Sequence, residues 1–442
     1  MSEYAYINIK KLTLMSFRNY VDEYVVGLLF SDKDLIISPG FKPDPEDEDS
    51  EEYTQYVYKT TVKKAIERLD ARGFSIENFR KIFEKNKENG INFFDIYINT
   101  KKHSNCDEDT FAEKLIKNIT FKKWQNAVRK IVLYELKNGN IDQWSDITMQ
   151  DVDIKTIAEK VIFCSMKSIV EESIYGLYPG IINVGYIIRL ILENCDINDI
   201  IELDFSYLQY WAEDCISTAI SATKNTEKII VLVEGTSDKD ILEYSLSKLY
   251  PHLSDLFYFM DFDDNNGGKR DGGTSYVIKN LKTFYFSKLQ AKFIAVFDND
   301  AEGYQSQCVL LNDVKKWPNN FRILLYPEIS SFKKYPTLAS NGNIILDNIN
   351  RKACSIELYL PDDIIKMNGE YLPIEWESRK KIKTTEGKEE LLYQGVISQK
   401  DDVKEKFHKL RKSIEKGESA FCAKDWSRMQ QLLEKIVFAF RN

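Results

Sequence analysis

Val231-Leu232-Val233-Glu234-Gly235 is answered about 60 residues later by Phe297-Asp298-Asn299-Asp300-Ala301-Glu302-Gly303. Each stretch closes an apolar run of β character, 228–233 before Glu234 and 293–297 before Asp298. Acids at the carboxyl ends of buried parallel strands stand in the crevice where open α/β sheets bind ligands. Three carboxylates gathered there do not all stay ionised without a cation, and hard oxygen donors select Mg²⁺ or Mn²⁺.

Outward from this pair the pattern is regular. Strand 228–233 leads to helix 237–250, strand 256–261, helix 274–286, strand 292–297, helix 300–316 and strand 321–326. That alternation predicts a parallel sheet with right-handed crossovers. Upstream the period changes. Residues 106–226 read as helical almost throughout, with Trp124, Val128, Val132 and Leu136 on one face and Asp204 where an N-cap is needed. Residues 1–105 mix short apolar runs with an amphipathic helix at 62–69. The expected organisation is α/β plus all-α: a small α+β N-terminal domain (1–105), a helical bundle (106–226), and a parallel-sheet domain with a C-terminal extension (227–442).

Several residues carry candidate chemistry. Asp298 and Asp300, at i and i+2 leaving a strand, point to one side and suit one cation or a bridged pair. Gly235 lets the chain turn after Glu234. Asp238 reads equally as a further ligand or as an acid favoured by a helix N-terminus, and Glu302 reads more readily as the latter. The glycine-bearing loop Gly267–Thr274 precedes a helix and suits either a phosphate, with Lys269 and Arg270, or a plain connector. Glu357, in an amphipathic segment, reads as a surface glutamate on pattern alone.

Composition narrows the classes. At 442 residues the chain is long enough for two or three cores. Its apolar runs fall short of the roughly 18 residues of a membrane span, so no membrane role is expected. The first residues lack a basic, apolar leader pattern, which suggests a cytoplasmic address. Seven scattered cysteines and three histidines make neither a zinc site nor a disulfide framework. A net charge of −8 argues against a general nucleic-acid coat. Residues 366–442 reverse that balance, with 17 Lys and Arg against 13 Asp and Glu, so a local basic face is open.

The glutamate on one strand with Asp-x-Asp on another resembles the signature of Toprim domains, metal-dependent domains that make, break or rejoin phosphodiester bonds. More specifically, the chain is similar to bacterial HEPN/Toprim-associated proteins, in which a leading domain and a HEPN-like helical region precede the Toprim domain. The resemblance rests on Tyr4–Ile9, Gly272–Val277, Phe297–Asp300, Tyr335–Leu338, Ser355–Leu360 and Tyr393-Gln394-Gly395, and spans most of the chain. It implies that Glu234, Asp298 and Asp300 are metal and acid/base residues and that Asp238 and Glu357 are further ligands, as in OLD-type nucleases. Lys400 is implied as an active-centre lysine. The implied activity is a Mg²⁺-dependent nuclease acting on DNA or RNA, in defence against phage, with two ions about 4 Å apart flanking the scissile phosphate.

Departures from the pattern are informative. No arginine stands before His103, His252 or His408 with four to six residues between, so the HEPN ribonuclease motif is missing. No Walker A motif is present, unlike OLD-type chains with their ATPase. A partner-gated or silent interaction protein, oligomerising through its helical region as a homodimer, is therefore the competing expectation. A primase-like polymerase would need a nucleotide pocket that the sequence does not display.

Overall fold

A computed structural model describes residues 4–42, 53–88, 120–138, 183–210, 213–260 and 273–441. The chain divides into two compact units, residues 1–226 with 441–442, and residues 227–440.

The first unit is built on a five-stranded antiparallel sheet. Its strands are β1 (Tyr4–Ile9), β2 (Leu12–Arg18), β3 (Leu35–Phe41), β4 (Tyr53–Thr61) and β5 (Ile200–Asp204), in the order β2-β1-β5-β4-β3. The inward sets Ala5, Ile7, Ile9 and Ile201, Leu203 are fully buried, as a period of two requires of a sheet with one covered face. Against it lie helices α1 (Glu23–Leu29), α2 (Val62–Ala71), α3 (Ile76–Glu88), α4 (Phe121–Asn138), α5 (Val184–Leu192) and α6 (Glu213–Ser221). Their buried residues join those of β1, β2, β4 and β5 in one continuous core. Described residues on both sides of position 106 contribute to it. The helical pattern expected through 106–226 breaks at β5, which completes the centre of the sheet between β1 and β4. Asp204 ends that strand and accepts the Ser206 N–H at 2.9 Å, ahead of a short 3₁₀ turn rather than an α-helix.

The second unit carries a four-stranded, fully parallel sheet: β6 (Ile229–Leu232), β7 (Phe257–Met260), β8 (Phe293–Phe297) and β10 (Phe321–Leu325), ordered β10-β8-β6-β7. The helices between them are α7 (Thr236–Leu249), α8 (Thr274–Phe286) and α9 (Ala301–Asp313). All five residues of β8 are buried, as a strand covered on both faces must be. From β6 the chain steps to β7 on one side, then crosses back to β8 on the other and continues outward to β10. Right-handed crossovers therefore place α7 on one face and α8 and α9 on the opposite one. The direction reverses between β6 and β8, so the crevice at their carboxyl ends is a topological switch point.

Beyond β10 the chain returns over this crevice. Two-residue β9 (Asn299–Asp300) pairs antiparallel with β13 (Ala353–Cys354). A second sheet, ordered β12-β11-β16-β17, comprises β11 (Tyr335–Leu338), β12 (Ile344–Asp347), β16 (Ile374–Lys383) and β17 (Glu389–Ile397). A short hairpin of β14 (Lys366–Met367) and β15 (Glu370–Tyr371) follows the one-turn helix α10 (Asp362–Ile365). The unit closes with α11 (Lys400–Glu415) and α12 (Ser427–Val437). Among the described residues, no helix is long and apolar enough to cross a membrane.

Candidate active site

Glu234 and Asp298 leave the carboxyl ends of neighbouring strands β6 and β8 at the switch point. The Asp298 backbone N–H donates to Glu234 Oε1 at 3.0 Å, which closes the crevice across its two walls. The Gly273 N–H, at the start of α8, donates to the Glu234 carbonyl at 2.8 Å. Of the glycine-bearing loop proposed as a phosphate cradle, residues 267–272 lie outside the described residues. Gly273 itself has φ +89°, a left-handed conformation that suits glycine. Gly235 does not. Its φ of −151° is ordinary extended backbone, and an added Cβ would meet Asp238 Oδ2 at 3.6 Å, so the turn after Glu234 makes no demand for glycine.

Burial, more than any neighbour, moves these acids. It pushes the Glu234 carboxyl up to about 8, with the nearby Asp300 carboxylate adding to the shift. Asp298 is driven well above the carboxylate range by burial and then by Glu234, Asp238 and Asp300. Its Oδ1 is buried without a hydrogen-bond partner among the described residues. An acceptor left so carries a desolvation cost that a proton or a cation can relieve.

Asp300 has a different environment. It is the N-cap of α9, and its Oδ1 accepts the Gly303 N–H at 2.7 Å while its Oδ2 accepts the Gln394 amide at 2.7 Å. Burial raises its pKa, and those two donors oppose the rise. Gly303 is required here, because a Cβ would stand 2.1 Å from the Asp298 carbonyl oxygen. Glu302 turns outward to Lys380 Nζ at 2.6 Å and Thr274 Oγ1 at 3.2 Å. The Lys380 hydrogen bond holds its pKa below the usual value. With both oxygens so engaged, Glu302 is a paired first-turn acid.

Asp238 and Glu357 form the other wall. Asp238, one turn into α7, is 8% exposed, and burial followed by the Glu357 charge pushes it up to about 7 against the pull of Lys400 and Lys404. Glu357 overturns its reading as a surface residue: it is fully buried, in a 3₁₀ turn from Ile356 to Tyr359 packed beneath α11 and α12. Its Oε2 accepts the Ser355 hydroxyl at 2.6 Å, and its Oε1 faces Lys400 Nζ at 3.5 Å and Lys404 Nζ at 3.7 Å. The pattern failed there because a fully buried charge is rare unless paired, and its partners lie more than 40 residues on. Burial weakens the Lys400 ammonium, yet Glu357, Asp298 and Asp238 together hold its pKa above the ordinary lysine value.

The structure thus brings Glu234, Asp238, Asp298, Asp300, Glu357 and Lys400 around one crevice. It adds Lys404, Gln394, Ser355 and Tyr326, which sequence reasoning missed. Lys404 had a signal, since a lysine four residues after Lys400 shares its helical face. Tyr326 had none. It is buried after β10, and burial beside Asp238, Asp298 and Glu234 raises its hydroxyl pKa far above normal.

As the side chains stand, no three acids, histidines or cysteines among the described residues converge closely enough to hold one metal ion. The donor set nevertheless fits a hard cation. It is all oxygen, it is mutually repulsive, and Asp298 Oδ1 is bare.

No curated protein and no solved structure matches the chain. The family model described as HEPN/Toprim N-terminal domain 1 matches residues 1–224, the stretch that folds as the first unit and precedes the acidic crevice. The match covers just over half of the sequence, and the chain belongs to the HEPN/Toprim-associated family.

Proposed function

We propose that the second unit is a Mg²⁺- or Mn²⁺-dependent nuclease that hydrolyses phosphodiester bonds of DNA or RNA. The observation that carries this reading is the buried, bare Asp298 Oδ1 at a switch point ringed by Glu234, Asp238, Asp300 and Glu357. Such an oxygen is relieved by a proton or by a bound cation, and the surrounding acids are the hard oxygen donors that a divalent cation takes. Asp298, Asp300, Glu234, Asp238 and Glu357 would hold the metal, which would polarise the phosphate and lower the pKa of the attacking water. Glu234, whose carboxyl is pushed up by burial and by Asp300 where no cation is bound, is the candidate to handle the proton. Lys400 stays cationic at the crevice and suits the extra charge that develops on a phosphate under attack. Defence against phage is the biological setting in this proposal, in the cytoplasm, with two chains meeting through residues within 106–226.

A partner-gated or silent scaffold draws on one observation of its own. Glu357, which would be a metal ligand, is already paired with two lysines. One assay separates the two readings. Purified protein is incubated with plasmid, single-stranded DNA and total RNA in Mg²⁺, Mn²⁺ or EDTA, beside Glu234→Gln and Asp298→Asn. Cleavage lost in EDTA and in both variants supports the nuclease. Cleavage that persists in both variants overturns the site, and no cleavage of any substrate favours the scaffold.

A further inference from the structure

The Tyr393-Gln394-Gly395 stretch has no part in the chemistry above, although it stands against the acidic crevice. Its central residue makes two hydrogen bonds. Gln394 Nε2 donates to Asp300 Oδ2 at 2.7 Å, and Gln394 Oε1 accepts the Glu302 backbone N–H at 3.0 Å. The amide orientation is settled by its partners, because a backbone N–H only donates and must face the carbonyl end. One side chain thus spans the Asp300 carboxylate and the first turn of the helix that Asp300 caps.

The neighbourhood is shaped to bring that amide there. Strands β16 and β17 pair with a register shift between Trp376 and Ser378, leaving Gln394 opposite Ser378. A bulge of this kind re-aims the side chains beyond it. Gly395 allows the strands to close, since a Cβ there would meet Ile374 Cγ2 at 2.6 Å and Trp376 Cε3 at 2.9 Å. Its N–H is fixed to the Lys352 carbonyl at 3.0 Å, and the Lys352 backbone pairs in turn with that of Asp300. On the same face, Lys380 of β16 holds Glu302.

We propose that Gln394 is a positioning residue of the acidic centre, locking the Asp300 carboxylate in one orientation so that divalent-metal affinity depends on a side chain that never touches the metal. Asp300 has one oxygen tied to its own helix by Gly303 and the other tied to β17 by Gln394. Each oxygen keeps a second lone pair for a ligand, and neither is free to rotate. Hydrogen bonds that orient metal-binding carboxylates typically shift metal affinity 10- to 100-fold when removed. Asp300 takes a neutral amide at Oδ2, with Lys380 acting on it only through space, whereas Glu302 is hydrogen-bonded to the Lys380 ammonium itself.

This inference rests on the metal reading of the crevice, and its test separates the two. Mn²⁺ uptake by the full-length protein is followed by electron paramagnetic resonance, with melting temperature alongside, for wild type, Gln394→Leu, Gln394→His and Asp298→Asn. Gln394→Leu removes both hydrogen bonds. Gln394→His retains a ring N–H at about the reach of the lost amide. The expected result is Mn²⁺ affinity about 10-fold weaker in Gln394→Leu and largely recovered in Gln394→His, with Asp298→Asn losing uptake. Wild-type affinity in Gln394→Leu overturns the positioning role and leaves the metal site standing. Equal weakening in both Gln394 variants, in step with lowered melting temperatures, assigns the residue to strand packing alone and also overturns it. Absence of uptake by wild type at millimolar Mn²⁺ overturns this inference and the metal reading together.

Discussion

The backbone N–H of Asp298 is hydrogen-bonded at 3.0 Å to Oε1 of Glu234, 64 residues away in sequence. The bond fixes the spacing of the crevice walls, and Glu234, Asp238, Asp298 and Asp300 are held above their usual pKa range. Glu234 rises from 4.5 to about 8 and Asp238 from 3.8 to about 7, in both cases chiefly by burial. The folded state therefore binds protons more tightly than the unfolded chain. That contribution is fully present below about pH 4 and is lost as pH rises through 7 to 8. Melting temperature in EDTA should therefore fall between about pH 4 and about pH 8 and level off above it. Millimolar Mg²⁺ should flatten the fall, because a cation replaces the protons. A flat profile in EDTA would mean that these acids are not buried together.

Gly303 lies where α9 packs against the carbonyl of Asp298, with room for hydrogen alone. Gly303→Ala forces the start of the helix away and disturbs both aspartates at once. A cost of about 2 kcal/mol in denaturant unfolding is expected, as for other overpacked sites. Mn²⁺ uptake should fall further than stability does, because Asp300 loses its cap geometry. Retention of wild-type stability would show that the backbone relaxes freely there.

In the first unit, Arg189 Nε meets Asp70 Oδ1 at 2.8 Å with both side chains under one-tenth exposed. Removing one partner of a buried pair leaves an uncompensated charge. Asp70→Asn should cost about 3 kcal/mol. Hydrogen exchange should show protection lost in α2, α5 and the sheet they cover. Unchanged exchange would mean that Glu193, 2.5 Å from Arg189, supports the guanidinium unaided.

How legible these features were depends on how far away their causes lie. The parallel strands are readable because each is a short, largely apolar run, and two of them, 229–232 and 293–297, lead directly to the acids of the crevice. Helix 274–286 was placed to the residue, with Gly273 before it. Strand β5 was not readable, because Ile200–Asp204 becomes a strand only between β1 and β4, elements 140 or more residues earlier. On pattern alone Glu357 reads as exposed for a similar reason, and Gln394 acquires its contacts only after a bulge in a hairpin. Local pattern encodes period and termini; it does not encode which distant charge will cover a buried one.

Lys400 and Lys404 stand one turn apart on α11 and share a single carboxylate oxygen, Glu357 Oε1. That oxygen has no hydrogen bond among the described residues, so these two charges are its compensation. Either lysine alone can remain beside it, and each is about one-third exposed, which screens its individual contribution. Lys400→Met and Lys404→Met should therefore each be mild, whereas the double variant leaves Glu357 buried and uncompensated. The double-mutant cycle should show a coupling of about 2 kcal/mol in denaturant unfolding. Adding Glu357→Gln to the double variant should restore most of the loss, since a neutral amide needs no counter-charge. Strict additivity of the two lysine substitutions would show that water or a bound cation, rather than the lysine pair, neutralises Glu357.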